Sequence, residues 1–241
     1  MRFAALTFPS DRPLAVDWAR PLRGSWGLCS CLLITHVMTA FLVAGSWQAL
    51  FVERTPLFRA QIGGQVSSLV TQGEWWRLVS SIGVHVDGLH LVFNIIAILG
   101  LGRLLEPWIG TKRLLAWFCI GGLLGSLSSF FAGVALSDGA SGGAFALLGA
   151  LVAMSFDSSL DLEEEAGWLL RGPVRWLAAV NLFLPLLLPF LDGVGHLGGF
   201  VCGIGLVLAS RRSGIAAMAL DLVGITVVGI GLLWALVALL T

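Results

Sequence analysis

Residues 139–156 open as Gly139-Ala140-Ser141-Gly142-Gly143-Ala144-Phe145 and run on, almost wholly apolar, to Phe156. This stretch decides the reading of the chain. From Ser141 to Phe156 a helix rises ~22 Å, against a bilayer hydrocarbon core of ~30 Å. Such a segment cannot cross alone, so it is expected to start below the membrane surface. Non-helical backbone at membrane depth is tolerated only where it lines a cavity or is buried in protein. Gly133, Ser137, Asp138 and Gly139 supply a flexible polar connection of that kind. Ser141 is then expected in a water-accessible pocket.

The composition around this stretch is that of a membrane protein. Of 241 residues, 57% are hydrophobic and 12% charged, with a mean hydropathy of +0.93, where a soluble domain carries about 25% charged residues. The apolar runs are long and do not alternate, which argues against a β-barrel and for an all-α polytopic bundle. A net charge of +0 points away from a nucleic-acid partner. Cys29, Cys31, Cys119 and Cys202 lie in apolar runs without metal-type spacing, so they read as packing residues. No metal and no cofactor is expected. With ten Trp and no Tyr, the aromatic belts fall to Trp and Phe.

Seven membrane segments are expected, at roughly 26–52, 88–105, 114–136, 140–156, 173–191, 195–210 and 214–240. A cleaved signal peptide fits poorly, because a polar, Pro-containing stretch precedes the first apolar run. Arg2, Arg12, Arg20, Arg23, Arg103, Lys112, Arg113, Arg171, Arg175, Arg211 and Arg212 all fall on one side if the N-terminus is cytoplasmic, leaving Arg54, Arg59 and Arg77 on the other. The positive-inside bias therefore sets N-in, C-out, with the chain expected in the plasma (inner) membrane. The acidic run Asp161, Glu163, Glu164, Glu165 reads as a solvated loop. Even-numbered segments then run from the outer face inward. His90 and Asn94 open the second, Ser141 the fourth and His196 the sixth, so three polar groups share one depth by parity alone.

Polar groups at such depths are costly and mark function or packing. A serine hydroxyl is a weak nucleophile that needs a base within hydrogen-bond reach, and His196 shares its level. Gly199 and Gly203 follow His196 on one helix face, and Gly142 and Gly149 make a matching face, which lets two helices approach closely. The start of a helix offers free N–H groups and a positive dipole end beside the nucleophile. His90 and Asn94, one turn apart on a shared face, can both donate toward an oxyanion. Phe145, one turn below Ser141, is placed to pack on the imidazole. No acid has an obvious orienting role, so a Ser–His dyad is expected. Singly, each signal has a plainer reading: a glycine-rich turn, a histidine bonding a neighbouring helix (as expected for His36), or an asparagine as interhelical glue. Asp221 reads as structural, with a functional role as the alternative, and Asp192 as an exposed loop residue, with orientation of the imidazole four residues on as the alternative.

These residues resemble the rhomboid family of intramembrane serine proteases over about residues 75–210. The resemblance rests on Trp76-Arg77, His85, His90-x-x-x-Asn94, Gly139-Ala140-Ser141-Gly142 and His196-x-x-Gly199-x-x-x-Gly203. It implies Ser141 as nucleophile, His196 as its base, and His90, Asn94 and the Ser141 N–H as the oxyanion hole. It also implies a loop between the first two segments lying partly in the membrane surface, consistent with Phe58, Trp75 and Trp76. The expected organisation is a cytoplasmic segment 1–25, a six-helix catalytic core 26–212 and an additional helix 213–241. Transmembrane proteins would be the substrates and the lipid bilayer the medium. Two positions depart from the family pattern. Phe145 stands where many members carry tyrosine, and Glu106-Pro107-Trp108 lacks the arginine that usually follows the acid, which removes a structural ion pair. The alternatives are a non-catalytic membrane-protein binding or quality-control protein on the same fold, and a transporter, for which no matching pair of interrupted segments is visible.

Overall fold

The computed structural model describes residues 13–212 and the helical positions Leu222, Gly224 and Thr226. In chain order its elements are α1 (Arg23–Leu42), a 3-10 turn (Trp47–Leu50), α2 (Pro56–Gln61), β1 (Gln65–Val66), α3 (Ser67–Thr71) and α4 (Arg77–Ser80). There follow α5 (Gly88–Ile109), α6 (Thr111–Phe131), β2 (Leu136–Ser137), α7 (Ser141–Ser155), α8 (Glu164–Leu169), α9 (Arg175–Leu187) and α10 (Gly193–Arg212). Helices α1, α5, α6 and residues Gly193–Ser210 of α10 are long and apolar enough to cross a membrane. The chain is thus the multi-pass helical bundle its composition demands. The expected seventh segment and Asp221 lie outside the described residues, as do Arg2 and Arg12, though Gly224 is buried against Ile120 and Ala116 of α6.

Helix ends follow local chemistry more than hydropathy. The first segment, expected to reach residue 52, stops at Leu42, and Gly45 turns the chain at φ 61°. The third, expected to reach 136, stops at Phe131 before Gly133 at φ 76°. Residues 170–174 form a π-helical turn ahead of α9; Pro173 within it has no N–H to give the ladder. The acidic run is not all loop. Glu164 and Glu165 occupy the first turn of α8, where the helix dipole favours negative charge.

Helix α7 sits at the centre. Residues Gly143 to Leu151 are all buried, so the helix is sheathed by protein and apolar on every face. That burial is why 15 residues suffice. The sheath is tight because glycines remove side chains where helices cross. A Cβ on Gly199 or Gly203 of α10 would collide with the carbonyls of Gly142 and Ala146, and one on Gly149 with the carbonyl of Phe200. Residues 43–87 fold into the small elements α2 to α4. Strand β1 pairs antiparallel with β2, Gln65 opposite Ser137 and Val66 opposite Leu136, which ties that loop to the residues just before Ser141.

The arginines expected on the far side serve this loop. Arg77 stacks on Trp76 at 4.5 Å and donates to the carbonyls of Ala60 and Gly64 and to Glu74. Arg54 is 3% exposed and donates to the carbonyls of His36 and Ala49. Glu106, without the arginine of the family pattern, is held by four other donors: the N–H groups of Gly24 and Ser25 at the start of α1, and the hydroxyls of Ser25 and Thr111. A buried carboxylate needs such donors, and the N-terminal end of a helix supplies them with a favourable dipole. His36 bonds the carbonyl of Leu50 through Nε2, a loop partner instead of a neighbouring helix.

Candidate active site

The loop 132–140 delivers Ser141 to the first position of α7. Gly139 makes the last turn at φ 121°, a conformation open to glycine, and its N–H donates to the Ser81 carbonyl at 2.9 Å. A Cβ there would lie 2.8 Å from Cε1 of His90. The first N–H groups of helix α7 have no intrahelical partner, as at any helix start, and no side chain caps them.

Ser141 Oγ and His196 Nε2 lie 3.0 Å apart. With the hydroxyl as donor, Nε2 is the acceptor and the ring proton sits on Nδ1, which has no partner among the described residues. Among the described residues no carboxylate is hydrogen-bonded to the imidazole. Phe145 orients the ring by stacking, with ring centroids 4.2 Å apart and planes 12° from parallel. Such pairs are worth about 0.5–1.5 kcal/mol beyond the area they bury.

His90 begins α5 under an Asp87 cap, whose carboxylate accepts from the His90 N–H at 2.7 Å. Its ring packs against Gly139, two residues before Ser141. Asn94 is buried, and its amide donates to the His90 carbonyl at 2.9 Å, not to Ser141 or His196. One amide N–H remains for another acceptor. His85 is fully buried with its ring edge-on to His90, centroids 5.2 Å apart. Burial first, and the neighbouring His90 next, push it down to about 3, so the ring is neutral. Nδ1–H then donates to Gly83 O at 3.3 Å and Nε2 accepts from the Ala140 N–H at 3.4 Å, pinning the residue before the serine.

Beside the pair is a cavity of about 20 Å³ lined by Ser126, Ser137, Asp138, Ser141, Asp192 and His196, among others, enough for one water. A larger cavity of about 280 Å³ lies elsewhere, between Arg20, Arg23, Glu106 and Thr111, and no serine or histidine lines it. Among the described residues no cluster of His, Cys, Asp or Glu is placed to hold a metal ion, and the four cysteines are free.

Two acids bear on the site more closely than the sequence led us to expect: Asp138, read as part of a polar connection, and Asp192, read as a loop residue with orientation of the imidazole as the alternative. Asp138 pairs with Arg59 of α2 at 3.0 Å. Burial pushes its carboxyl up to about 6 even against that guanidinium. Asp192, expected as an exposed loop residue, is partly buried and bonded to three elements. A carboxylate three residues from a membrane-depth serine is costly without a partner, and that cost was the available signal for Asp138.

A hydroxyl bonded to an imidazole between glycine-lined helices, beside uncapped helix N–H groups, defines a multi-pass membrane protein with a serine–histidine site. The family model for the Rhomboid domain matches residues 72–213, more than half of the chain, and the chain belongs to the rhomboid family. Rhomboid protease GluP of Bacillus subtilis (strain 168) is 33% identical over 141 residues, 58% of this chain and 27% of that protein. RHOMBOID-like protein 5 of Arabidopsis thaliana is 36% identical over 156 residues, 63% of this chain and 50% of that protein. Rhomboid-like protease 2 of Toxoplasma gondii is 30% identical over 214 residues, 82% of this chain and 72% of that protein. The chain thus spans half or less of the length of the first two.

Proposed function

We propose that this chain is an intramembrane serine endopeptidase that hydrolyses peptide bonds in or near the transmembrane segments of other membrane proteins. The observation that carries the reading is the 3.0 Å bond between Ser141 and His196 in a bundle whose family includes proteins described as rhomboid proteases. Ser141 Oγ attacks the scissile carbonyl while His196 Nε2 takes the hydroxyl proton. The oxyanion forms near the Ser141 N–H, and His90 and Asn94 donate to it. The imidazolium returns the proton to the leaving amine, and the C–N bond breaks. A water then attacks the acyl-enzyme with His196 again as base, releasing the acid and restoring Ser141. The substrate helix has to unwind locally, because a helical peptide bond is shielded by its own turn.

In this reading residues 26–212 form the catalytic core, the N-terminus is cytoplasmic, and the site opens toward the extracytoplasmic side of the plasma (inner) membrane. The reaction uses no cofactor. The test is cleavage of a model single-pass substrate in reconstituted vesicles by the parent, Ser141→Ala and His196→Ala. Both variants should lose product by a factor of about 10³ or more while remaining folded. Unchanged cleavage by either overturns the dyad, and a non-catalytic binding role follows if the parent itself yields no product.

A further inference from the structure

One carboxylate joins the elements that carry both members of the pair. Oδ2 of Asp192 accepts from the hydroxyl of Ser129 on α6 and from that of Ser137 on β2, both at 2.5 Å. Oδ1 accepts from the Gly195 N–H at 2.9 Å, and the Asp192 main-chain carbonyl accepts from the His196 N–H at 3.0 Å. Asp192 therefore caps the first turn of α10, where His196 sits, and holds β2, which runs on to Ser141 four residues after Ser137. The fit is close: a Cβ on Gly195 would lie 2.7 Å from both Asp192 Oδ2 and Ser129 Oγ. The carboxylate makes no hydrogen bond to the imidazole, whose Nδ1 has no partner among the described residues.

We propose that Asp192 is a positioning residue for the Ser141–His196 pair, acting through the backbone of α10 and β2 rather than on the histidine ring. The proposal rests on the protease reading above. Its chemistry explains the residue type. A single oxygen must accept from two hydroxyls while its twin caps a helix, and a carboxylate offers acceptors on both oxygens. Asparagine keeps the cap to Gly195. It also keeps contact with the serines by donating its two amide protons to their oxygens, which leaves the Ser129 hydroxyl proton free for the Gly125 carbonyl 3.1 Å away. Alanine loses every side-chain bond, freeing the start of α10 and the end of β2 to shift against each other. A shift approaching 1 Å costs on the order of 100-fold in rate.

The test uses the full chain in vesicles and reads kcat and KM for a model transmembrane substrate, the rate of covalent labelling by a fluorophosphonate, and the thermal midpoint. Asp192→Ala should lower kcat and the labelling rate together by about 10- to 100-fold, with KM within about threefold of the parent. Asp192→Asn should recover most of that loss, a rescue that a purely electrostatic role would not give. Should Asp192→Ala fail to fold, the Ser129→Ala/Ser137→Ala pair decides. Slower labelling with a cooperative melt supports the role, and parental labelling overturns it. Asp192→Ala with parental kcat, Asp192→Asn as slow as Asp192→Ala, or a loss confined to KM also overturns it. A parent that neither labels nor cleaves sinks the protease reading and this role with it, whereas a reactive parent matched by Asp192→Ala sinks this role alone.

Discussion

Replacing Gly199 with alanine sets a single methyl group against the main chain of α7. The new Cβ would lie 2.9 Å from the carbonyl carbon and 3.1 Å from Cα of Gly142, and closer still to that carbonyl's oxygen. Ordinary contact begins near 3.4 Å, so the two helices have to part by about 0.5 Å to clear the carbon and further to clear the oxygen. Backbone atoms cannot rotate away as a side chain can. The displaced point is three residues from His196, whose 3.0 Å bond to Ser141 crosses the same helix pair. Overpacking of this kind costs about 1–3 kcal/mol of stability, and a misplacement near 1 Å costs on the order of 100-fold in rate. Gly199→Ala is expected to fold with a lowered thermal midpoint and to cleave a transmembrane substrate about 10- to 100-fold more slowly. Gly205, on the same helix with nothing within 4 Å of its Cβ position, is the control. Gly205→Ala should match the parent in both assays. Parental cleavage by Gly199→Ala, or an equal loss in Gly205→Ala, would refute the close-packing argument.

Three further perturbations probe other parts of the site and frame. Phe145→Ala removes the ring stacked on His196 and leaves a cavity costing about 3–5 kcal/mol; denaturation in detergent should show the loss and cleavage should fall, while Phe145→Tyr, which keeps the stack, should stay near the parent. Glu106→Gln exchanges an oxygen that accepts from Gly24 or Ser25 for a donor, and calorimetry should report a loss of about 1–3 kcal/mol with labelling of Ser141 unchanged in the folded fraction. Asp138, raised from 3.8 to about 6 mainly by burial, binds its proton more tightly folded than unfolded. Stability from this group is therefore present below pH ~4, is lost as pH rises to ~6 and stays flat above. The thermal midpoint of the parent relative to Asp138→Asn should fall across that window, and a constant difference would contradict the burial of the carboxyl.

The parity of the spans led to the expectation that His90, Asn94, Ser141 and His196 share one level, because span length and arginine asymmetry are properties of the chain alone, and Ser141 and His196 do lie 3.0 Å apart. The shortness of α7 was legible for the same reason. What stayed hidden depends on partners distant in sequence. Asp192 is bonded to residues 55 and 63 positions away and Asp138 to one 79 positions away, so local sequence shows that each acid needs a partner but not which one. Likewise, Glu106 was read for the arginine it lacks, while three of its four donors come from the start of α1 some 80 residues earlier. The folding of residues 43–87 was equally out of reach, because Arg54, Arg59 and Arg77 act there by binding carbonyls and two carboxylates, contacts that composition does not encode. Helix ends moved by up to ten residues where glycine turns overrode continuous hydropathy.

The most direct measurement is covalent. The full chain in vesicles is treated with a fluorophosphonate, digested, and the adduct located by mass. The account predicts a single adduct on Ser141 that is absent in His196→Ala, because without the imidazole the hydroxyl keeps its proton. An unlabelled parent, an adduct on another serine, or undiminished labelling of Ser141 in His196→Ala would contradict it.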